Sequence, residues 1–318
     1  MGIDLFDRME GGLVGLAIGD AVGVPYEFRE PFELPRTEWL EMEPPPGFFP
    51  SHSSVLPGTW SDDTSQALCL FASLRECGGL DLEDFAQRLI SWMYGGYMAV
   101  DKCPFDVGFQ TCQALSRFKN GTPAHLSGLK GERNNGNGSL MRVLPLALLW
   151  EGDEASLVEA AHRQSIVTHS HPRSQVCCAL YCLWAKYELM GDTTAWERAV
   201  EELRAIYGPS GDFRHELDEN VRPEEDVKSP GGGYVVTCLK SARKACMEPD
   251  FESIVKRAIS FGVDTDTTAA VAGGIAGIRH GFHNVPERWW RDLRGKEILV
   301  PLLELWKKHF EERNSAAS

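Results

Sequence analysis

Two short segments of the chain gather carboxylates and hydroxyls where a helix should begin. Gly58-Thr59-Trp60-Ser61-Asp62-Asp63-Thr64 runs straight into Ser65-Gln66-Ala67-Leu68-Cys69-Leu70-Phe71, which puts Asp62 and Asp63 in a first helical turn. Gly262-Val263-Asp264-Thr265-Asp266-Thr267-Thr268 repeats the design ahead of a run of small residues. Helix capping accounts for either segment alone, because Ser, Thr and Asp satisfy free backbone amides and suit the positive end of the helix dipole. Together they exceed that need. A cap uses one or two side-chain oxygens, whereas these segments offer four carboxylates, and adjacent Asp62 and Asp63 repel each other unless a cation compensates. Oxygen-only donors select a hard ion such as Mg2+ or Mn2+ over Zn2+. Four carboxylates carry charge enough for two divalent ions, although spacing alone does not fix the count.

Other segments supply polar groups of less specific meaning. Gly19-Asp20-Ala21 puts an acid near the end of an apolar helix, where a buried, hydrogen-bonded role suffices, and Glu27 follows at the mouth of a long loop. Arg133-Asn134-Asn135-Gly136-Asn137-Gly138-Ser139-Leu140-Met141-Arg142 is an amide-rich turn whose backbone N–H groups could cradle a diphosphate, but Asn-Gly turns are abundant. His169 and His171 in Thr168-His169-Ser170-His171-Pro172 read as hydrogen-bonding residues at a helix-to-helix turn rather than a metal shell. Tyr234, after three glycines, faces either a sugar or the core.

Helical periodicity must position these groups. Apolar residues at three and four spacing predict helices over 62–76, 82–94, 140–150, 155–165, 173–190, 194–207, 235–246, 251–260 and 267–280, and few stretches alternate like strands. The expected class is all-α. Arg29 to Gly58 is proline-rich and reads as a surface excursion, and Gly208 to Gly233 as a polar loop. Glycine recurs every fourth residue at Gly11, Gly15, Gly19 and Gly23, and small residues do so at Ala269, Gly273, Gly277 and Gly281. Glycine inside a helix costs up to ~1 kcal/mol relative to alanine. Close helix-to-helix approach is the compensating gain, so both helices are expected to be central. One domain over 1–310 is expected, with a tail over 311–318 that should fray.

Composition narrows the partners. The chain has 46 Asp and Glu against 32 Lys and Arg, a net charge of −14, which disfavours nucleic acid and anionic membranes. Nine cysteines form no Cys-x-x-Cys pair or regular framework, so reduced, buried thiols in a cytoplasmic protein are expected. The N-terminus lacks a basic region before an apolar stretch, and no apolar run is long enough to span a bilayer.

Taken together, the segments resemble the ADP-ribosylglycohydrolase family. The elements appear in family order: Gly-Leu-Ala-Ile-Gly-Asp-Ala from Gly15, Trp-Ser-Asp-Asp-Thr from Trp60, Asn-Gly-Asn-Gly-Ser-Leu-Met-Arg from Asn135, Thr-His from Thr168, Gly-Tyr-Val-Val from Gly233 and Asp-Thr-Asp-Thr from Asp264. The resemblance implies a single compact orthogonal helical domain, acting as a monomer, with a dinuclear Mg2+ or Mn2+ centre. By position it implies Ser61, Asp62, Asp63, Asp264, Asp266 and Thr267 as metal ligands. It implies Asn135, Asn137, Gly138, Ser139, Met141, His169 and Tyr234 as substrate contacts, and Glu27 as a gating glutamate. Asp106 matches, more loosely, an acid that assists glycosidic cleavage in some members. Family members usually have threonine where Ser61 stands, and Gly-Gly-Asp where this chain has Gly262-Val263-Asp264. No metal-ligand acid is missing, which separates the chain from a crystallin-like relative without a site.

The implied reaction removes ADP-ribose from a modified protein side chain by hydrolysis at ribose C1″, with arginine the preferred acceptor, free ADP-ribose the product, and Asp62, Glu27 or Asp106 assisting proton transfer. Two enzymatic rivals fit less well. A haloacid-dehalogenase-type phosphatase would match Asp264-Thr-Asp-Thr-Thr268, but that motif normally opens an α/β domain and too little chain follows it. A terpene-synthase-like reading lacks the third acid after Asp63. A non-catalytic ADP-ribose-binding module, or a hydrolase of another ADP-ribose derivative, is the remaining alternative.

Overall fold

The computed structural model describes residues 3–317, and among these the chain folds into fifteen α-helices joined by turns and short 3-10 segments, with no strand. Extended pairing is confined to two isolated bridges, Leu129 with His169 and Gly136 with Tyr234. No helix among the described residues is long and apolar enough to cross a membrane.

The glycine-faced helices, Leu5–Gly23 and Thr265–His280, lie antiparallel at the centre. Their contact is backbone on backbone at every turn. A Cβ added to Gly11 would meet the carbonyl oxygen of Gly277 at 2.3 Å, one on Gly15 that of Gly273 at 2.3 Å, and one on Gly19 that of Ala269 at 2.0 Å. At the far end a Cβ on Gly23 would lie 2.4 Å from Cα of Asp266. The four-residue repeat in both sequences is therefore one continuous seam, and it brings the end of the first helix onto the start of the second acidic segment. Both helices are buried almost all round, and the other helices wrap them in one hydrophobic core.

Most expected helices appear within a residue or two, as at Asp62–Cys77, Leu82–Gly95, Glu154–Ile166, Pro172–Leu189 and Phe251–Ile259. The helix expected over 140–150 is shorter, Leu144–Leu149, because Pro145 suits only a first turn and Asn137 to Met141 instead form a tight turn onto the Asn137 carbonyl. Part of the expected loop after Gly208 is helical, at Asp212–His215 and in a π-turn over Glu216–Val221 that buries Leu217 and Val221. The tail expected to fray continues a helix, Lys296–Ala317, whose Leu299, Leu303 and Trp306 are buried. Six of the nine cysteines are buried, while Cys77, Cys103 and Cys112 are exposed, and none is disulfide-bonded.

His162 ties the Glu154–Ile166 helix to its neighbours. Its ring stacks on Phe213, with centroids 4.3 Å apart, and its Nε2 lies 2.7 Å from the Tyr207 hydroxyl. Burial depresses its pKa to about 4.

Two outcomes follow. Gly277→Ala, whose Cβ would meet the Gly11 carbonyl oxygen at 1.8 Å, should lower the urea midpoint by the equivalent of about 3 kcal/mol or more, since backbone cannot yield as a side chain does. For His162, the unfolded chain takes up a proton near pH 6.5 that the folded protein refuses until about pH 4. Its stabilising effect is complete above about 6.5, falls as pH drops through that window and levels off below it. His162→Phe should therefore flatten that part of the stability profile, by roughly 3 kcal/mol between pH 7 and 4, measured as the difference in urea unfolding between variant and wild type.

Candidate functional site

The seam places three chain segments around one point. From the end of the first glycine-faced helix, buried Asp20 accepts hydrogen bonds from the backbone N–H groups of Ser61 and Thr64, each at 2.9 Å, and from the Thr64 hydroxyl at 2.6 Å. Asp20 thus caps the helix that begins at Asp62. From the other side the Thr265 hydroxyl donates to the Gly23 carbonyl at 2.8 Å, locking the second acidic start to the same helix end.

Capping does not consume the remaining acids. At the first start, Ser61 Oγ accepts from the Asp63 N–H, leaving both aspartate carboxyls unused for capping. At the second, Asp264 occupies the cap position but its side chain makes no capping bond. The two starts meet through Asp63, whose Oδ2 accepts from Ser61 Oγ and from Thr267 Oγ1, each at 3.2 Å. Asp264 Oδ2 accepts from the Asn137 amide at 2.9 Å, and Asp62 Oδ2 from the Gln66 amide at 2.7 Å. Three buried carboxylate oxygens, Asp63 Oδ1, Asp264 Oδ1 and Asp266 Oδ2, have no hydrogen-bond partner. Ligand oxygens of Glu27, Asp264 and Asp266 lie within 4.8 Å of one another.

Burial and mutual repulsion raise the carboxyls' pKa. Asp62, Asp63 and Asp266 are held well above the ordinary carboxylate range, first by desolvation and then by neighbouring acids. Glu27 is pushed up to about 10 by burial and by Asp106 and Asp264, and Asp106 to about 6 by burial and Asp264. So much like charge in a buried site, with orphaned oxygens and no nitrogen or sulfur donors among the four aspartates, suits a hard divalent cation.

A cavity of about 250 Å³ opens on this cluster. Glu27, Asp62, Asp106, Asp264 and Thr267 line it together with Asn137, Gly138, Met141 and His169. Gly138 lets His169 approach, since a Cβ there would lie 2.9 Å from its ring. The Asn135 to Asn137 turn is tied to Gly233 and Val235 by backbone bonds of 3.0 and 2.9 Å. The Asn135 side chain accepts from the Ser174 hydroxyl, and the Ser139 hydroxyl accepts from Ser165 within the core, so neither side chain points into the cavity. Tyr234 is half-exposed beside it, its hydroxyl accepting from Arg173 at 3.2 Å.

Three residues beyond those expected belong to the site. His52, from the proline-rich loop, places Nε2 2.5 Å from Glu27 Oε2 and groups with Asp106. Nothing in its Ser-Pro surroundings marked it. Gln66 and Arg142 form the second layer. The fully buried Arg142 guanidinium donates to Gln66 Oε1 and Thr168 Oγ1, each at 2.8 Å, and to Gln164, while Thr168 Oγ1 lies 2.7 Å from His169 Nδ1. One cation thereby aligns Asp62, through Gln66, with His169, through Thr168. Gln66 was visible as the residue one turn beyond Asp62.

The mouth of the cavity is strained. Phe28 and Val263 both adopt left-handed backbone, φ +59 and +63, and face each other through Phe28 N–H to the Val263 carbonyl at 2.6 Å and Val263 N–H to the Arg29 carbonyl at 2.7 Å. Such a conformation costs a non-glycine residue about 1 kcal/mol or more.

Arg142→Met should destabilise the protein by about 3–5 kcal/mol, because Gln66, Gln164 and Thr168 lose a buried charged donor. Chemical denaturation measures this, and a loss below about 1 kcal/mol would show that the network does not depend on the guanidinium.

The family model described as ADP-ribosylglycohydrolase matches residues 1–315. The chain is 31% identical over 304 residues to ADP-ribosylarginine hydrolase Tri1 of Serratia proteamaculans (strain 568), covering 94% of this chain and 78% of that one. It is 28% identical to the ADP-ribosyl-[dinitrogen reductase] glycohydrolase of Rhodospirillum rubrum, covering 91% and 90%. A solved ADP-ribosylglycohydrolase-related protein complex contains a chain of similar fold, with TM-score 0.74, 30% identity and coverage of 95% and 98%.

Proposed function

The chain belongs to the ADP-ribosylglycohydrolase family, and from that premise we propose that it is a metal-dependent hydrolase releasing ADP-ribose from modified arginine side chains. One observation carries the metal dependence: Asp63, Asp264 and Asp266 each keep a buried carboxylate oxygen without a partner. Two divalent cations, Mg2+ or Mn2+, held by Ser61, Asp62, Asp63, Asp264, Asp266 and Thr267, would supply the charge that neutralises these acids, grips ribose hydroxyls and acidifies water.

The chain's own groups divide the remaining work. Asn137, Gly138, Met141 and His169 line the cavity beside the acids, where the diphosphate and distal ribose are to lie, with the backbone of Asn135 and Ser139 shaping that turn and Tyr234 next to it. His169, its pKa depressed to about 3 by burial and Arg142, stays neutral and adds no charge of its own. Asp62, oriented by Gln66, and Glu27, held by His52, are the acids that would take a proton from the attacking water once bound cations offset the repulsion that keeps them protonated. Asp106 faces the same cavity, and with Glu27 makes an acidic mouth suited to a guanidinium leaving group. The arginine preference is supported by that acidity and by the similarity to the Serratia relative, which is named an ADP-ribosylarginine hydrolase.

The phosphatase alternative loses its structural basis, since Asp264 follows the Phe251–Ile259 helix and a turn rather than a strand. A binding module differs from a hydrolase in turnover.

Incubation with arginine-, serine- and nucleic-acid-linked ADP-ribose should release free ADP-ribose from the arginine conjugate, only with Mg2+ or Mn2+ present. Asp62→Ala with Asp266→Ala should abolish release while the helical circular dichroism persists; turnover retained by that variant defeats the metal reading. Stability gives an independent test. Asp63→Asn removes a repelling charge, so it should raise the melting temperature of metal-free protein and lose the rise that saturating divalent ion gives the wild type, about 3 kcal/mol at a hundredfold excess over Kd.

A further inference from the structure

Four exposed aromatic side chains lie on or next to the segments that line the cavity and contribute little to the core. Phe28, Phe32, Phe49 and Phe109 are 63, 85, 80 and 76% exposed. Single exposed phenylalanines are ordinary, but several gathered around one opening mark a contact surface. Their proximity follows from the contacts beneath them. Phe28 lies against His52, which in turn lies against Phe105, with ring centroids 5.7 and 5.2 Å apart. Arg29 donates to the Phe49 carbonyl at 2.8 Å, and Pro31, next to Phe32, abuts Gly262. Phe109 borders the cavity on its other side.

The backbone supplies a second observation. The left-handed pair Phe28 and Val263 is strained, yet it presents two apolar side chains to solvent. Backbone bonds to the facing segment hold this conformation, and its side chains are left outside the core.

We propose that this aromatic rim is the docking surface for the polypeptide that carries the ADP-ribosyl group, and that it favours substrates with apolar residues beside the modified arginine. The inference rests on the hydrolase reading above. With the glycosidic bond over the carboxylates, the protein part of the substrate projects from the mouth, and Phe32 and Phe49 stand there, outside the cavity lining. The acidic floor of Glu27 and Asp106 receives the guanidinium while the apolar rim receives its neighbours, and the net charge of −14 argues against nucleic acid as the occupant.

Three substrates test it: free ADP-ribosylarginine, a peptide with ADP-ribosylarginine flanked by leucines, and its twin flanked by serines. The wild type should cleave the leucine peptide with a KM about tenfold below that of the serine twin. Phe32→Ser with Phe49→Ser, both at exposed positions, should erase that preference through KM while cleaving free ADP-ribosylarginine as the wild type does. Equal KM for the two peptides in the wild type, or a preference that survives in the double variant, overturns the rim. Inactivity of the wild type on free ADP-ribosylarginine as well overturns the arginine-hydrolase reading and the rim with it.

Discussion

The structure depends on the contact of two helix backbones with nothing between them. Glycines at 11, 15 and 19 meet the carbonyls of Gly277, Gly273 and Ala269, so a single methyl group at any of these turns would force the helices apart. The consequence lies at the seam's end rather than along it. Where Gly23 meets Asp266, the first helix delivers Asp20 to cap one acidic start and accepts Thr265 from the other. A looser pairing would keep an all-helical core and lose the alignment of the carboxylates, since Asp63 reaches Thr267 by a single 3.2 Å bond. The small-residue seam is thus a positioning device, and its propensity cost is offset by close packing along both helices.

That alignment gathers like charge under conditions unfavourable to the protein alone. Burial and mutual repulsion raise the pKa of Asp62, Asp63 and Asp266, and three carboxylate oxygens lack partners. Arg142 does not neutralise the cluster directly. It stands one layer back, its own pKa lowered to about 10 by burial, and acts on Asp62 through the neutral Gln66 amide. A direct ion pair would satisfy the aspartate and remove its affinity for a cation; a relay through an amide fixes its direction and leaves its charge available. The second layer therefore separates orientation from neutralisation.

How much of this was legible in the sequence depended on whether the signal was local. The acidic helix starts and the four-residue glycine repeat are periodic, and periodicity survives folding, so the helices and their central pairing could be read directly. Helix ends answered to single residues: Pro145 delayed the helix expected from residue 140 to Leu144, and Leu299, Leu303 and Trp306 anchor the first turns of the C-terminal helix in the core. His52 was illegible, because it comes from an irregular loop and meaning arises only when the loop folds back onto Glu27, 25 residues earlier. Arg142 sat inside a quoted motif, yet its function lay in Gln66 and Thr168, which are distant in sequence. Ser139 shows the converse: its place in the motif suggested contact with substrate, while its hydroxyl is bonded to Ser165 in the core.

Val263 joins these levels. This chain keeps a β-branched residue in left-handed backbone, next to a ligand candidate and opposite a second strained residue, Phe28. Glycine would relieve the conformation without cost to the core, since the valine side chain is 36% exposed. Two backbone bonds, from Phe28 N–H to the Val263 carbonyl and from Val263 N–H to the Arg29 carbonyl, fasten the loop bearing Glu27 to the segment bearing Asp264 away from the seam as well as at it. The acidic cluster is consequently clamped from below by glycine packing and from above by this bridge. A valine in place of glycine therefore adds strain to the upper clamp rather than stability, because left-handed backbone disfavours a β-branched residue, and it adds an apolar side chain beside Phe28 at the surface.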